Sequence, residues 1–156
     1  MTRKVIRLVL LVLGIVALLG ATLFVALRWD SIPAEVPGHF DGAGRPESFA
    51  AKGSLWGMLG AGWVMYAFIS VIDRTPALWK KNGGFVRVSS LRIGGKTLLE
   101  PNWLSLDLVS LEIALLFSYL SICSALCRPL GAWFLPVFLC VLLLSFVVPG
   151  LVMGRE

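Results

Sequence analysis

The chain alternates between four long apolar stretches and shorter polar segments. The apolar stretches cover residues 5–27, 53–72, 104–126 and 130–152, and the polar segments between them are 28–52, 73–103 and 127–129. Because about 20 apolar residues in helical form span the hydrocarbon core of a bilayer, each stretch is long enough to be a transmembrane helix. The last two are joined only by Cys127-Arg128-Pro129, which predicts an antiparallel pair. The pattern therefore predicts an all-α, integral membrane four-helix bundle.

The composition supports a membrane protein and argues against an ordinary soluble domain. Hydrophobic residues make up 58% of the chain and charged residues only 15%, which lies outside the usual range of soluble domains. The first apolar stretch is longer than the apolar core of a secretory signal peptide, and no clear cleavage site of small residues follows it before Arg28. It is therefore predicted to be an uncleaved anchor.

The distribution of lysine and arginine predicts how the four stretches are oriented. Ten of the 14 basic residues fall in 1–7, 73–103 and 153–156, and the other four fall in 28–52 and 127–129. Since cytoplasmic segments retain Lys and Arg, both termini and the 73–103 segment are expected in the cytoplasm, with 28–52 outside the cell membrane. The net charge of +5 comes mostly from these flanking residues, so we expect contact with membrane lipid and no nucleic-acid partner.

The 73–103 segment has the pattern of a small cytoplasmic β-hairpin. Leu91-Arg92-Ile93 and Thr97-Leu98-Leu99 flank a Gly94-Gly95 pair, and a glycine pair between two short β-prone runs is typical of a tight turn. An isolated hairpin is marginal in water, so this one is expected to lean on the bundle, on lipid or on a partner.

The 28–52 segment is predicted to be an ordered extracytoplasmic loop that caps the outer end of the bundle. Pro33, Pro37 and Pro46 prevent a continuous helix and hold the chain extended or turned, while Gly44 allows a tight turn. Four apolar side chains of the segment are expected to press into the outer mouth of the bundle: Ile32, Val36, Phe40 and Phe49.

The same segment resembles a known bacterial membrane family. The residues that carry the resemblance are Ile32-Pro33, then Val36-Pro37-x-His39-Phe40-Asp41-x-x-Gly44-x-Pro46, and finally Lys52 just before the second apolar stretch. Their order and spacing are similar to the signature of the family catalogued as domain of unknown function 1648 (DUF1648). A member of that family gives immunity to a peptide toxin and captures a transcriptional repressor at the membrane. The resemblance therefore implies immunity or membrane signalling, with a peptide toxin, another membrane protein or a cytoplasmic regulator as partner.

His39 and Asp41 are the polar residues of this segment best suited to bind a ligand. They lie two residues apart, so an extended backbone projects both side chains to one side, with Arg45 and Lys52 as further groups of a recognition surface. A structural interpretation instead makes Asp41 the acceptor of an Asx turn near Ala43 and His39 a hydrogen-bonded strut. A metal site would need three or four protein ligands at a recognisable spacing, so no metal and no cofactor is predicted.

Glu112 is an acid within the third apolar stretch. Five residues of helix, or roughly 7.5 Å, separate it from Asp107, so it lies deeper in the membrane. A charge at that depth is costly, and the side chain should face the bundle interior, carry a proton or pair with a cation. Arg7 lies at a matching depth and is the predicted partner, in a structural clamp. If Glu112 instead meets only hydroxyls such as Ser70, proton-coupled movement is the alternative.

These observations lead to two predictions of function. The preferred one is a non-enzymatic membrane protein whose outer segment recognises a partner. No catalytic residue is predicted, because no nucleophile motif such as G-x-S-x-G accompanies the single histidine. The alternative is a small transporter or ion-handling membrane subunit that uses Glu112.

Overall fold

A computed structural model describes residues 3–74, 91–93, 96–99 and 103–153 of the chain. Within these residues the α-helices are α1 (Arg3–Leu27), α2 (Ser54–Arg74), α3 (Trp103–Ala125) and α4 (Phe134–Met153). In the described part of the chain, three segments are long and apolar enough to cross a membrane, namely Arg3–Leu27, Ser54–Ile72 and Leu104–Ala125, whereas the apolar part of α4, Phe134–Pro149, is shorter. The fold is mostly helical, as predicted, and its apolar helices indicate a membrane protein.

Helix α3 is the centre of the bundle, because it packs against each of the other three helices and most extensively against α1 and α2. A stripe of small or polar residues at helical spacing makes this contact, and all of its members are buried: Asp107, Ser110, Ala114, Ser118, Ser121 and Ala125. Small side chains let helix backbones approach closely inside a membrane. The stripe therefore determines which face of α3 points towards α1 and α2.

Glycine also permits close contact between helices. In α2, Gly62 lies against α3, where an added Cβ would be 2.6 Å from the Cβ of Phe117. Gly60, two residues earlier on the same helix, faces away, and an added Cβ there would meet nothing within 4 Å. The two positions therefore provide a matched test of the α2–α3 contact.

We expect Gly62→Ala to lower the free energy of unfolding by about 1–2 kcal/mol, because the new methyl group forces α2 away from α3. Gly60→Ala should leave stability unchanged or raise it by up to about 1 kcal/mol, since alanine favours a helix over glycine. Equilibrium unfolding in mixed detergent micelles measures both variants. Equal stabilities for the two would contradict the packing described here.

The segment between α1 and α2 forms a β-hairpin, an element that the all-α prediction did not include. Strand β1 (Glu35–Phe40) pairs antiparallel with β2 (Pro46–Ala51), with irregular register on both sides of His39. Proline is compatible with these strands because a two-stranded hairpin consists only of edge strands. A second antiparallel pair, β3 (Leu91–Ile93) and β4 (Lys96–Leu99), flanks the predicted glycine turn. Residues 75–90 of the predicted cytoplasmic segment lie outside the described residues.

Two apolar side chains anchor the first hairpin to the helices. Ile32 and Val36 are buried in a core cluster with residues of α1, α2 and α3. Phe40 is only half-buried, and Phe49 is 59% exposed. The prediction that all four apolar side chains press into the bundle is therefore right for Ile32 and Val36 and wrong for Phe49.

Three charged residues from three helices meet at the other end of the bundle. Asp107 of α3 is 1% exposed; its Oδ2 lies 3.0 Å from Nε of Arg7 in α1, and its Oδ1 lies 3.0 Å from Nη2 of Arg74 in α2. The start of α1, the end of α2 and the start of α3 are thus together, so these helices alternate in direction. We call this the Asp107 end, and the opposite one the hairpin end.

Candidate functional site

The turn of the hairpin is built around Asp41. Its Oδ1 accepts hydrogen bonds from the backbone amides of Ala43 at 2.9 Å and Arg45 at 2.8 Å. The Asp41 amide in turn donates to the Arg45 carbonyl oxygen at 2.9 Å. These bonds form the Asx turn of the structural interpretation. The Arg45 amide is an additional donor, because a simple Asx turn has only the bond from the amide two residues after the aspartate. One oxygen of the carboxylate is therefore committed to the shape of the turn.

Gly44 joins this turn to the connection between α3 and α4. Its φ is +73°, and its carbonyl oxygen accepts a hydrogen bond from the Leu130 amide at 2.8 Å. An added Cβ would lie 2.7 Å from the carbonyl oxygen of Gly131 and 3.0 Å from its nitrogen. Only glycine suits both this left-handed backbone and this contact. The hairpin turn and the α3–α4 connection therefore meet backbone against backbone.

An open pocket of about 320 Å³ lies between this turn and the helices. We call it the hairpin pocket. His39, Asp41 and Gly42 of the hairpin form its polar rim. Its walls are apolar side chains of α2, α3, α4 and the α3–α4 connection: Met58, Leu116, Leu120, Leu130, Phe134 and Leu135. The pocket thus combines a small polar rim with a large apolar surface.

The His39 side chain is exposed at this rim. Within the part of the chain that the structure describes, its ring makes no hydrogen bond, so it is not the hydrogen-bonded strut of the structural interpretation. One donor and one acceptor of the neutral imidazole therefore remain for a ligand.

The four residues predicted to bind a ligand do not form one cluster. Arg45 is exposed in the turn, near His39 and Asp41. Lys52 follows β2 at the base of the hairpin, four residues beyond the strand partner of His39, or roughly 13 Å along the strand. Its Nζ donates to the Trp29 carbonyl oxygen at 3.3 Å and lies 4.8 Å from the centre of the Trp29 ring. Lys52 therefore stabilises the base of the hairpin and does not line the pocket.

The residues predicted to shape the loop differ in burial. Pro37 and Gly44 are buried, Phe40 and Pro46 are half-buried, and Pro33 is exposed. Among these five residues, Pro37 and Gly44 therefore leave the least room for a different side chain.

The hairpin lies inside a segment that matches a protein-family model. The match covers residues 9–62, and the family is described as Domain of unknown function (DUF1648). This match identifies residues 9–62, about a third of the chain, as a DUF1648 segment. The resemblance that rests on His39, Asp41, Gly44 and their neighbouring prolines is confirmed. The curated proteins and the solved structures contain no match to the chain.

The DUF1648 segment supplies the hairpin and one wall of the pocket, and the rest of the chain supplies the other walls. Met58 lies within residues 9–62, whereas the wall residues of α3, α4 and their connection lie beyond them. None of these wall residues was predicted as part of the site. Apolar residues in a membrane span carry no local signal that separates a pocket wall from a lipid-facing surface.

Glu112 lies outside the DUF1648 segment, on the side of α3 that faces α4. It is 8% exposed, and its Oε1 accepts a hydrogen bond from the hydroxyl of Ser145 in α4. Among the described residues, its Oε2 has no hydrogen-bond partner. The predicted clamp between Arg7 and Glu112 is wrong, because Arg7 pairs with Asp107 on another side of α3. The hydroxyl that Glu112 meets is Ser145, not Ser70.

The chemistry at the hairpin pocket suits binding. The imidazole of His39 and the carboxylate of Asp41 offer polar contacts beside apolar walls. Within the described ranges, no group of three or more His, Cys, Asp or Glu side chains is placed to hold a metal ion. The arrangement can therefore hold a molecule that has both an apolar part and a polar part.

Proposed function

We propose that this is a non-enzymatic protein of the cell membrane whose hairpin pocket recognises an amphipathic partner, either a peptide toxin or the outer segment of another membrane protein. The observation that carries the proposal is the pocket itself, in which His39 and Asp41 stand at the rim of apolar walls from three helices. Apolar sites with a few convergent polar groups are typical of ligand recognition. An apolar side chain of the partner would enter the pocket, with a neighbouring polar or basic group at the rim.

In this proposal the hairpin lies outside the cell and both termini lie in the cytoplasm. The basic residues favour that orientation, because ten of the 14 lie in 1–7, 73–103 and 153–156 and only four lie in 28–52 and 127–129. A peptide that arrives from outside would then meet the hairpin turn first.

A route to the rest of the molecule supports the signalling side of the proposal. Gly44 binds the backbone of the α3–α4 connection, so a partner that moves the turn would also displace the start of α4. Strand β4, from the segment predicted to be cytoplasmic, lies next to α4. Immunity would need only capture of the toxin, whereas signalling to a cytoplasmic regulator would use this second contact.

We expect His39→Ala to abolish capture of the partner without loss of membrane insertion or stability, because the ring is exposed at the rim. A photo-crosslinking amino acid placed at the exposed Gly42 of the wild-type protein, in living cells, would report the partner as a covalent adduct of defined mass. In the His39→Ala background the yield of that adduct should fall at least about tenfold, the loss typical of a residue at the centre of an interface.

Two comparisons make this test specific. Glu47→Gln changes an exposed charge of β2 away from the pocket, and the adduct should persist. Asp41→Asn keeps an Oδ1 acceptor for the turn, whereas Asp41→Ala removes it. Loss of capture in both variants would show that the partner needs the negative charge of Asp41. Loss of capture in the alanine variant alone would show that the partner needs the shape of the turn. An adduct that survives His39→Ala at full yield would refute the proposed site.

A further inference from the structure

A second cavity, of about 360 Å³, lies between α3 and α4 and continues inward from the hairpin pocket. We call it the α3–α4 groove. Glu112 and Tyr119 line it from α3, and they lie about 10 Å apart along the helix axis. Trp133, Phe134 and Phe138 line it from the other side. The groove therefore has an acid at its deep end and aromatic rings along its length.

The rings in the groove form one connected series. The centroids of Tyr119 and Phe134 are 4.7 Å apart in a stacked pair, and those of Phe134 and Phe138 are 6.2 Å apart, also stacked. Trp133 contacts both Tyr119 and Phe134, with centroid distances of 6.2 and 6.0 Å. Aromatic faces attract organic cations, because the ring quadrupole is negative above and below its plane. Such a wall suits a ligand with aromatic groups and positive charge.

The acid at the deep end lacks a positive partner among the described residues. Ser145 donates one hydrogen bond to Oε1 of Glu112, and Oε2 receives none. Arg7 of α1 and Arg74 of α2 are bound to Asp107 and not to Glu112. A carboxylate buried at membrane depth is costly unless a proton or a cation neutralises it. The groove therefore has an acid that can hold a cation, and none of its described lining residues is basic.

The groove is open on the side that faces lipid. Trp133 is 59% exposed, Leu115 is 51% exposed and Val137 is 47% exposed, and all three belong to its lining. A ligand that enters here comes from the hydrocarbon of the membrane, so it must itself be hydrophobic. This access excludes small hydrated metal ions as natural occupants.

We propose that the α3–α4 groove is a binding site for a hydrophobic organic cation. The positive centre lies at Glu112, and the aromatic or branched apolar body lies among Tyr119, Phe134 and Phe138. The two cavities share Leu116 and Phe134, but Glu112 and Phe138 line only the groove and His39 lines only the hairpin pocket, so substitutions can address each site separately.

Tetraphenylphosphonium is a suitable probe, and tetraphenylborate has the same shape with the opposite charge. Binding of each to the full chain in lipid nanodiscs can be measured with empty nanodiscs as the background. We expect saturable binding of the cation and none of the anion. Glu112→Gln should weaken cation binding at least about tenfold, since it removes the charge yet keeps an oxygen for Ser145. Glu47→Gln, a matched loss of charge on the hairpin, should bind as the wild type does.

Phe138→Leu provides a second measurement that does not alter the acid, and it also serves if Glu112→Gln proves unstable in unfolding experiments. It should weaken cation binding by several-fold, because one aromatic face is lost while the volume is nearly kept. Equal affinity for tetraphenylphosphonium and tetraphenylborate, or unchanged cation affinity in both Glu112→Gln and Phe138→Leu, would overturn the proposal and show only partition of the probe into lipid. Glu112→Gln and Phe138→Leu should still give the crosslinked adduct at Gly42. The proposals for the groove and for the hairpin pocket can therefore be refuted separately.

Discussion

Asp107→Asn is expected to lower the free energy of unfolding of the bundle by about 3 kcal/mol. The carboxylate of Asp107 is the shared partner of Arg7 from α1 and Arg74 from α2. Without this charge, the two guanidinium groups lose the carboxylate that joins them and remain close together where three helices meet. Their side chains are 19% and 30% exposed, so they can turn partly towards water. Because the two arginines can reach water, the loss of stability is expected at the low end of the range for a broken buried ion pair.

Equilibrium unfolding in mixed micelles, followed by tryptophan fluorescence, measures the effect. Asp30→Asn is the matched control, because Asp30 is an exposed acid at the hairpin end. That variant should stay within about 0.5 kcal/mol of the wild type. If Asp107→Asn is as stable as Asp30→Asn, the ion pairs do not hold the three helices together.

The helices could be predicted because membrane thickness sets the length of an apolar run. The second stretch was predicted at 53–72 and α2 is Ser54–Arg74; the third was predicted at 104–126 and α3 is Trp103–Ala125. The fourth differs, since α4 begins at Phe134 and not at residue 130. Gly131 adopts φ +87° to meet the hairpin turn, and no apolar pattern reports that contact.

The partner of Glu112, one of the two acids in α3, could not be predicted from depth alone. Depth along a span depends on residue number, but the neighbour that a side chain meets depends on its angle around the helix. Asp107 and Glu112 are five residues apart, or about 140° around the axis. Asp107 belongs to the small-residue stripe that faces α1 and α2, whereas Glu112 faces α4. The spacing of Ser110, Ala114 and Ser118 indicates which face of α3 packs against α1. Asp107 lies on that face, so this spacing predicts Asp107 as the partner of Arg7.

The candidate site was predictable where local chemistry determines it. Asp41 is followed by Gly42 and Gly44, which favour a turn. Its Asx turn uses hydrogen bonds to residues no more than four positions away, so the local sequence is enough to predict it. Lys52 was grouped with His39 because both belong to the motif, yet the strand register holds them apart. The hairpin itself was missed because its three prolines indicate extended or turned chain without indicating a strand partner.

Gly44→Ala is the variant expected to disturb the hairpin most, with a loss of about 2–3 kcal/mol from the contact between the turn and the α3–α4 connection. The φ of +73° is unfavourable for alanine, and its Cβ would lie 2.7 Å from the carbonyl oxygen of Gly131. Because both atoms belong to backbone or are fixed to it, no side chain can rotate to relieve the overlap. The turn should therefore separate from the connection and release the bond between the Leu130 amide and the Gly44 carbonyl oxygen.

Hydrogen exchange at the Leu130 amide measures this separation directly, and a loss of 2 kcal/mol corresponds to roughly 30-fold faster exchange. Gly42→Ala is the matched control in the same turn, since Gly42 has no left-handed φ and an added Cβ would meet nothing within 4 Å. Its exchange at Leu130 should equal that of the wild type. Because the hairpin pocket lies between the turn and the helices, Gly44→Ala should also lose capture of the partner although His39 is intact. Unchanged exchange at Leu130 in Gly44→Ala would mean that the turn does not depend on this contact, and that the pocket is held by Ile32 and Val36 alone.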